Sequence, residues 1–264
     1  MTENAQGEPL SIGEVGDFIL QTSGLTKQFS GFTAVRDVNL SVRRNTIHAL
    51  IGPNGAGKTT VFNLLTKFLT PTGGSISFNG RDVTRTGPAD MAELGMVRSF
   101  QISSTFPHLT VLENIRVALQ KKLGTSFHFW KPKNTLFHLH DRADELIEWV
   151  GLQEYRDILA ANLSYGRKRA LELATTLALE PEMLLLDEPM AGMGHEDIGR
   201  TAELIRRVSE GRTILMVEHN LNVVADLSDT ITVLTRGSVL AEGDYETVSN
   251  DPTVRTAYIG GGHG

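Results

Sequence analysis

The residues Gly52 to Thr60, GPNGAGKTT, fit the spacing G-x-x-x-x-G-K-[ST]. That spacing serves phosphate. Its glycines let backbone N–H groups turn inward around phosphate oxygens, its lysine reaches the β- and γ-phosphates, and the hydroxyl that follows sits on Mg2+. Gly52, Gly55 and Gly57 are therefore the expected cradle, Lys58 the phosphate cation and Thr59 the magnesium ligand. The flanks agree, since Thr46 to Ile51 (TIHALI) reads as a buried strand and Thr59 to Lys67 (TTVFNLLTK) as a helix. A triphosphate would then lie at a helix N-terminus, where free N–H groups and the helix dipole favour an anion. A glycine turn with no ligand is the competing reading. Kinases, GTPases and ATPases all share the loop.

A second anion site is written into Leu163 to Arg167, LSYGR. Ser164 and Gly166 fall at the N-terminus of a helix predicted over Tyr165 to Leu179, while Arg167, Lys168 and Arg169 crowd its first turn. Positive charge there opposes the dipole. Such a turn is favourable when a phosphate or an acidic partner lies opposite. The alternative is a Ser N-cap whose basic neighbours pair with surface carboxylates.

The apolar run Met183 to Glu188, MLLLDE, is a strand that delivers Asp187 to the phosphate-binding edge of a sheet, where it can hold Mg2+ directly or through water. Glu188 comes next, placed to polarise the water that attacks a γ-phosphate. His219 closes the strand ILMVEH and can contact the same phosphate and water. A hydrogen-bonded histidine at a strand end is its plainer reading. Phosphoryl transfer needs positioning and charge stabilisation more than covalent chemistry, so a carboxylate, a lysine, Mg2+ and an opposed helix end suffice.

These groups need a scaffold, and 264 residues can bury one large core or two lobes. The chain has no cysteine, which excludes disulfides and thiolate metal sites. Its net charge of −6 argues against a dedicated nucleic-acid binder, which needs a concentrated basic face. No apolar run approaches the ~20 residues of a membrane helix, so a membrane role must come through a partner. Residues 1–16 lack a basic n-region and an apolar h-region; they read as a disordered leader rather than a secretory signal.

Strands are expected at Phe18 to Lys27, Val35 to Val42, Thr46 to Ile51 and Ser75 to Phe78. From about Phe106 to Glu180 the pattern is helical: Thr110 and Glu113 form a capping box for Val111 to Gln120, and Asp141 to Val150 and Tyr165 to Leu179 follow. Strands return at Met183 to Asp187, Thr213 to Glu218 and Ile231 to Thr235. The result is an α/β fold in which a parallel core sheet receives an inserted helical lobe.

With these motifs in place, the chain resembles the nucleotide-binding subunits of ABC transporters from Phe18 to Ile259. Gly52 to Thr60 is similar to the Walker A loop, Gln101 in SFQ to the Q-loop glutamine, Leu163 to Arg167 to the signature, Leu184 to Glu188 to Walker B, and His219 to the switch histidine. The resemblance implies a P-loop NTPase core with an antiparallel β subdomain and an α-helical subdomain, the ABC ATPase fold. It divides the chain into a leader at 1–16 and a cassette at 17–264, with the core at 17–100 and 181–264 and the helical part at about 101–180. It implies ATP bound by Phe29, Gly52, Asn54, Gly55, Gly57, Lys58, Thr59, Thr60 and Gln101, with Phe29 stacking on adenine. Thr59, Gln101 and Asp187 are the implied Mg2+ ligands, and Glu188, His219 and Lys58 the implied catalytic groups.

It further implies two subunits head to tail, each ATP lying between one Walker A loop and the other subunit's Ser164 and Gly166, as a homodimer or a heterodimer. HALIGPNGAGKTTVFNLLT, RSFQISSTFPHLTVLENIRVAL, DEPMAGM and the ending AYIG look like the ATPases of branched-chain amino-acid importers. That group implies transmembrane permease partners, a periplasmic solute-binding protein acting indirectly, and a place on the cytoplasmic face of a bacterial inner membrane. A lipopolysaccharide-exporting group is also similar, which leaves the direction of transport open. The chain departs from the family where the loop after Walker B ends in Gly194 instead of the usual Asp, and where Tyr165 and Arg167 stand in the signature.

Other classes fit less. A DNA-repair or chromosome-organising ATPase would carry a coiled coil or zinc insertion between the two anion motifs, and neither heptads nor cysteines occur there. A non-hydrolysing regulator could dispense with Glu188 and His219, and a simple kinase has no use for LSYGR. In residues 124–140, Phe127, Phe129, Trp130 and Phe137 read as a platform flanking a permease groove supplied by Gln101 to Glu113. His128, His138 and His140 lack the i, i+4 spacing of a helical metal site.

Overall fold

Apolar runs too continuous to have a wet face become the central strands of a parallel sheet. In a computed structural model the chain is described over residues 17–99, 105–122 and 133–259. Its elements, in order, are β1 (Phe18–Phe29), β2 (Phe32–Val38), β3 (Ser41–Arg43), β4 (Ile47–Ile51), α1 (Lys58–Leu65), β5 (Gly73–Phe78), β6 (Arg81–Asp82), α2 (Pro88–Glu93) and β7 (Met96–Arg98). The helical stretch holds α3 (Val111–Lys122), α4 (Lys133–Trp149) and α5 (Tyr165–Leu177). The chain closes with β8 (Met183–Asp187), α6 (His195–Ser209), β9 (Thr213–Val217), α7 (Leu221–Leu227), β10 (Thr230–Thr235), β11 (Ser238–Gly243), α8 (Tyr245–Asn250) and α9 (Pro252–Ile259).

The main sheet has the order β11-β10-β4-β9-β8-β7, parallel except for β11. Every residue of β4, β8 and β9 is buried, and the two faces of these strands feed different cores. Ile47, Ala49 and Ile51 of β4 and Leu184 and Leu186 of β8 join the core shared with α3 to α7. Leu50, Met183 and Leu185 point the other way, onto Val61, Phe62, Leu64 and Leu65 of α1 and the antiparallel sheet β2-β1-β5-β6. Period-2 alternation thus lets one strand serve two layers.

The strand expected at Val35 to Val42 is two strands. The Thr22 hydroxyl donates to Val38 O (2.9 Å) and accepts from Leu40 N–H (2.9 Å), replacing ladder bonds between β2 and β3, which both pair with β1. Asp37 at φ 49° marks the break. The helix expected at Asp141 to Val150 is longer, beginning at Lys133. Its buried stripe is Leu139, Ala143, Leu146 and Ile147, continued past the helix by Val150. The capping box forms as expected: Thr110 N–H donates to Glu113 Oε2 (2.8 Å), and Glu113 N–H to Thr110 Oγ1 (3.2 Å).

The leader at 1–16, Gln101 and the aromatic residues Phe127, Phe129 and Trp130 lie outside the described residues, as does the side chain of Phe137. Among the described residues no helix is long and apolar enough to cross a membrane.

Two buried polar residues tie this frame together. Asn114 accepts from Phe106 N–H (2.7 Å) and donates to the carbonyls of Phe106 (3.1 Å), Leu109 (3.2 Å) and Thr110 (2.8 Å), pinning residues 106–110 onto α3. His48 on β4 lies 2.7 Å from the Thr232 hydroxyl, which donates to Glu242, so the imidazole must donate through Nε2. Asn114→Ala strips partners from these loop groups. It should cost at least ~2 kcal/mol in urea unfolding, each unsatisfied buried group costing about 1–3 kcal/mol.

Burial pushes the His48 imidazole down from 6.5 to about 4. Between those values the unfolded chain binds the extra proton, so stability rises with pH across this window and is lost on acidification. About 3 kcal/mol should disappear between pH 6.5 and pH 4 on this account. His48→Gln keeps a donor to Thr232 and cannot charge. Its unfolding free energy should fall less steeply in the same window.

Candidate functional site

Strand register builds the site. Leu50 of β4 pairs with Val217 of β9, and Val217 with Asp187 of β8, so three parallel strands end on one row. Within two residues of that row come Gly52, Glu188 and His219. Parallel α/β sheets place their ligand crevices at this carboxyl edge.

The loop after β4 depends on glycine at two close approaches. Gly52 has φ 151°, and a Cβ there would come within 2.1 Å of the Leu234 carbonyl oxygen on β10. Gly57 has φ 104°, and its Cβ would meet the Ala34 carbonyl oxygen at 2.7 Å. The loop is held between β10 and β2, with Asn54 and Gly55 exposed at its crest. Thr59 is exposed and Thr60 half-buried in the first turn of α1, which carries no acidic residue. Lys58 is only 6% exposed, and its ammonium donates to Gly52 O (2.7 Å) and Pro53 O (3.0 Å). Burial lowers its pKa from the usual lysine value, against the opposing pull of Glu188 and Asp187.

Asp187 is buried and paired with Arg98 of β7. Arg98 also donates to Asn63 of α1 (2.7 Å) and lies 5.8 Å from the Phe62 ring centre. Glu188 adopts φ 49°, rare for a residue with a Cβ, and is fixed there by donating its N–H to Val217 O (2.9 Å). Its Oε1 lies 2.8 Å from His219 Nε2. An ionised carboxylate only accepts, so this geometry requires the proton on Nε2. Both side chains are partly open to solvent.

A carboxylate held by a histidine, beside a buried lysine, can accept a proton from a water aligned on phosphate. Among the described residues no group of three or more His, Asp or Glu can hold a metal alone. The Thr59 hydroxyl and the Asp187 carboxylate nevertheless fit Mg2+, a hard ion that takes one or two protein oxygens and fills its shell with phosphate and water.

Phe29 ends β1 opposite Phe32, 44% exposed, with the Lys27 ammonium 5.2 Å from its ring centre. Its hairpin runs on to Ala34, the residue that abuts Gly57. Ser164 stands at the N-cap of α5 but makes no side-chain cap bond and is exposed. Gly166 faces the Asp197 carboxylate of α6, which a Cβ would meet at 3.0 Å. The crowded charge of this turn is partly answered within the chain: Arg169 pairs with buried Glu172 (2.8 Å), and Arg167 lies 4.0 Å from the Tyr155 ring centre. Ser164 and Gly166 line a cavity of about 570 Å3 that no residue of the Gly52 to Thr60 loop lines.

The structure therefore gathers Lys58, Asp187, Glu188 and His219 at one sheet edge, and sets Ser164 and Gly166 apart from them in a cavity that none of the four lines. Gln101 lies outside the described residues. Arg98, Asn63 and Glu218 escaped the sequence reading. The one signal for Arg98 was a lone cation in an otherwise apolar short strand, and Glu218 read only as part of a strand end.

Known proteins resemble this chain over most of its length. The ABC transporter family matches residues 35–191, and the branched-chain amino acid ATP-binding cassette transporter family matches residues 238–264. The chain is 41% identical over 249 residues to the high-affinity branched-chain amino acid transport ATP-binding protein LivG of Salmonella typhimurium, covering 92% of this chain and 98% of the relative. It is 39% identical to the corresponding BraF protein of Pseudomonas aeruginosa over 249 residues, with the same coverage of both chains. The crystal structure of the ADP conformation of an ATP-binding cassette of an ABC transporter matches with a TM-score of 0.80 at 30% identity, covering 92% of this chain and 99% of that one. A loop built for triphosphate, a carboxylate and histidine aimed beside it, and relatives that span the chain nearly end to end establish that this protein belongs to the ABC transporter family, as one of its ATP-hydrolysing cassettes.

Proposed function

We propose that this cassette energises the uptake of branched-chain amino acids, or of closely related small solutes, by binding and hydrolysing MgATP between two cassette subunits. The reading of the chemistry rests on one observation above the others: Glu188 and His219 meet at 2.8 Å, while Lys58 senses both Glu188 and Asp187. The solute class rests on the relatives and on the match at residues 238–264.

Lys58 exchanges its bonds to Gly52 O and Pro53 O for β- and γ-phosphate oxygens. The backbone N–H groups of the loop, with Asn54, Gly55, Thr59 and Thr60, hold the rest of the triphosphate. Phe29 offers its open face to adenine. Asp187 and Thr59, joined by Gln101, would hold Mg2+, which would supply neutralisation of phosphate charge. Glu188, oriented by His219, takes the proton from the attacking water. Ser164 and Gly166 close on the nucleotide of the second subunit, which accounts for the setting of the second anion motif in a cavity apart from the first.

The helical part that carries α3, α4 and α5 meets the permease subunits. Gln101 and the loop pinned by Asn114, from which Phe106 projects 52% exposed, carry closure to them. The permeases, fed by a periplasmic solute-binding protein, keep this chain on the cytoplasmic face of the inner membrane. Closure is transmitted when nucleotide draws the subunits together, and phosphate release reopens the pair.

Two variants separate binding from chemistry. Glu188→Gln should still bind MgATP, accumulate closed dimers by size-exclusion chromatography, and lose at least ~100-fold in turnover. Normal turnover would exclude the role given to Glu188. Lys58→Ala should lose the MgATP-dependent rise in unfolding temperature, a stabilisation of about 2.7 kcal/mol in the parent at roughly a hundredfold excess over Kd. An undiminished shift would remove Lys58 from the phosphate site.

A further inference from the structure

The loops that carry Glu188 and His219 leave two different strands, and one buried side chain joins them. Glu218 is 4% exposed and lies between Val217 of β9 and His219. Its Oε1 accepts from Met190 N–H (3.1 Å), two residues beyond Glu188. Its Oε2 accepts from His219 N–H (2.6 Å) and Asn220 N–H (2.9 Å). Among the described residues no basic side chain pairs with it, so three backbone N–H groups answer a buried carboxylate. Such bonds are charge-assisted and stronger than neutral ones.

We infer that Glu218 is a positioning residue for hydrolysis, a carboxylate clamp that sets the Glu188–His219 pair by fixing both backbones at once. The inference rests on the proposed role of Glu188 and His219 and adds what holds them in place. Glu188 sits at φ 49° and is tethered on its N-terminal side by its N–H to Val217 O (2.9 Å). A left-handed conformation at a residue with a Cβ persists only where its surroundings over-determine it. The Met190 tether supplies the second constraint, on the C-terminal side.

The same carboxylate fixes the peptide from which the imidazole projects. A shift of either loop would open the 2.8 Å contact between the two side chains. The geometry explains why a glutamate serves here. Three converging N–H donors need two acceptor oxygens, and glutamine offers one oxygen and an amide group that donates. Glu218→Gln keeps the volume of the side chain, yet must give up either the Met190 bond or the His219 and Asn220 bonds.

The test uses the full chain assembled with its transporter partners, reading kcat and KM for ATP hydrolysis. Glu218→Gln should lower kcat by ~10- to 100-fold while KM stays within about threefold, because misplacement by ~1 Å costs on this order. Glu218→Asp keeps two acceptor oxygens on a shorter arm, and should recover part of the loss.

In a His219→Ala background, where the pair is already broken, adding Glu218→Gln should cost no more than about twofold, the non-additivity expected of groups acting through one another. A kcat within about twofold of the parent, a rise in KM alone, or full additivity with His219→Ala would each overturn the inference. Should Glu218→Gln not fold, Glu218→Asp must itself show the kcat loss at steady KM and the non-additivity, or the inference fails. Glu188→Gln run alongside keeps the two levels apart. If it abolishes turnover while Glu218→Gln leaves kcat within about twofold of the parent, only the clamp is wrong; if it leaves turnover intact, the reading of the site is wrong.

Discussion

The hydrogen-bonded register that sets Leu50, Val217 and Asp187 side by side is the constraint on which the site depends. The phosphate loop, the candidate general base and the histidine leave the sheet within two residues of that row. A slip of one residue in any of the three strands would turn every side chain of that strand to the other face. The double core opposes such a slip. Because β4, β8 and β9 are buried on both faces, it would exchange residues between two packed layers rather than between core and solvent.

That row also concentrates charge in a place from which water is largely excluded. Asp187 and Lys58 are both buried, and neither is left bare: Arg98 answers the carboxylate, and the loop's own carbonyls answer the ammonium. Buried charges persist only when paired or hydrogen-bonded. On the proposed function, a bound nucleotide can replace the loop carbonyls with oxygens of the same character. Phosphate oxygens stand in for the carbonyls of Gly52 and Pro53. On the proposed function, Mg2+ would be a second positive neighbour of Asp187. The site is thus satisfied before its ligand arrives, and binding exchanges one set of polar contacts for another.

The sequence displays the parts of this site whose chemistry is local. GPNGAGKTT, MLLLDE and ILMVEH are each read within a few residues, and the strands that carry them are unbroken apolar runs. The long-range partners are not displayed. Arg98 reaches Asp187 across 89 positions and Asn63 across 35, and nothing in GMVRSF announces a partner at either distance. The break between β2 and β3 depends on a hydroxyl from another strand, Thr22, which composition within residues 35–42 cannot reveal. The first half of α4 was missed because Asn134, Thr135, Phe137, His138 and His140 fill most of residues 133–140, and their helix propensity is middling. Their helical state is continuous with the apolar stripe from Leu139 to Ile147.

Physical separation within one chain is what makes the second anion motif informative. A helix N-terminus with an exposed Ser164, no side-chain cap and a basic first turn is poorly satisfied by its own surroundings, and the Asp197 carboxylate beside Gly166 is the acidic group nearest to hand. The cavity that Ser164 and Gly166 line holds no part of the Gly52 to Thr60 loop. A phosphate bound by that loop is therefore not met by this helix end within the same cavity, whereas a second cassette facing the first can present its own. The proposed dependence on a second subunit is consistent with this separation. On the proposed function, closure of two such chains on one nucleotide is then the mechanical step.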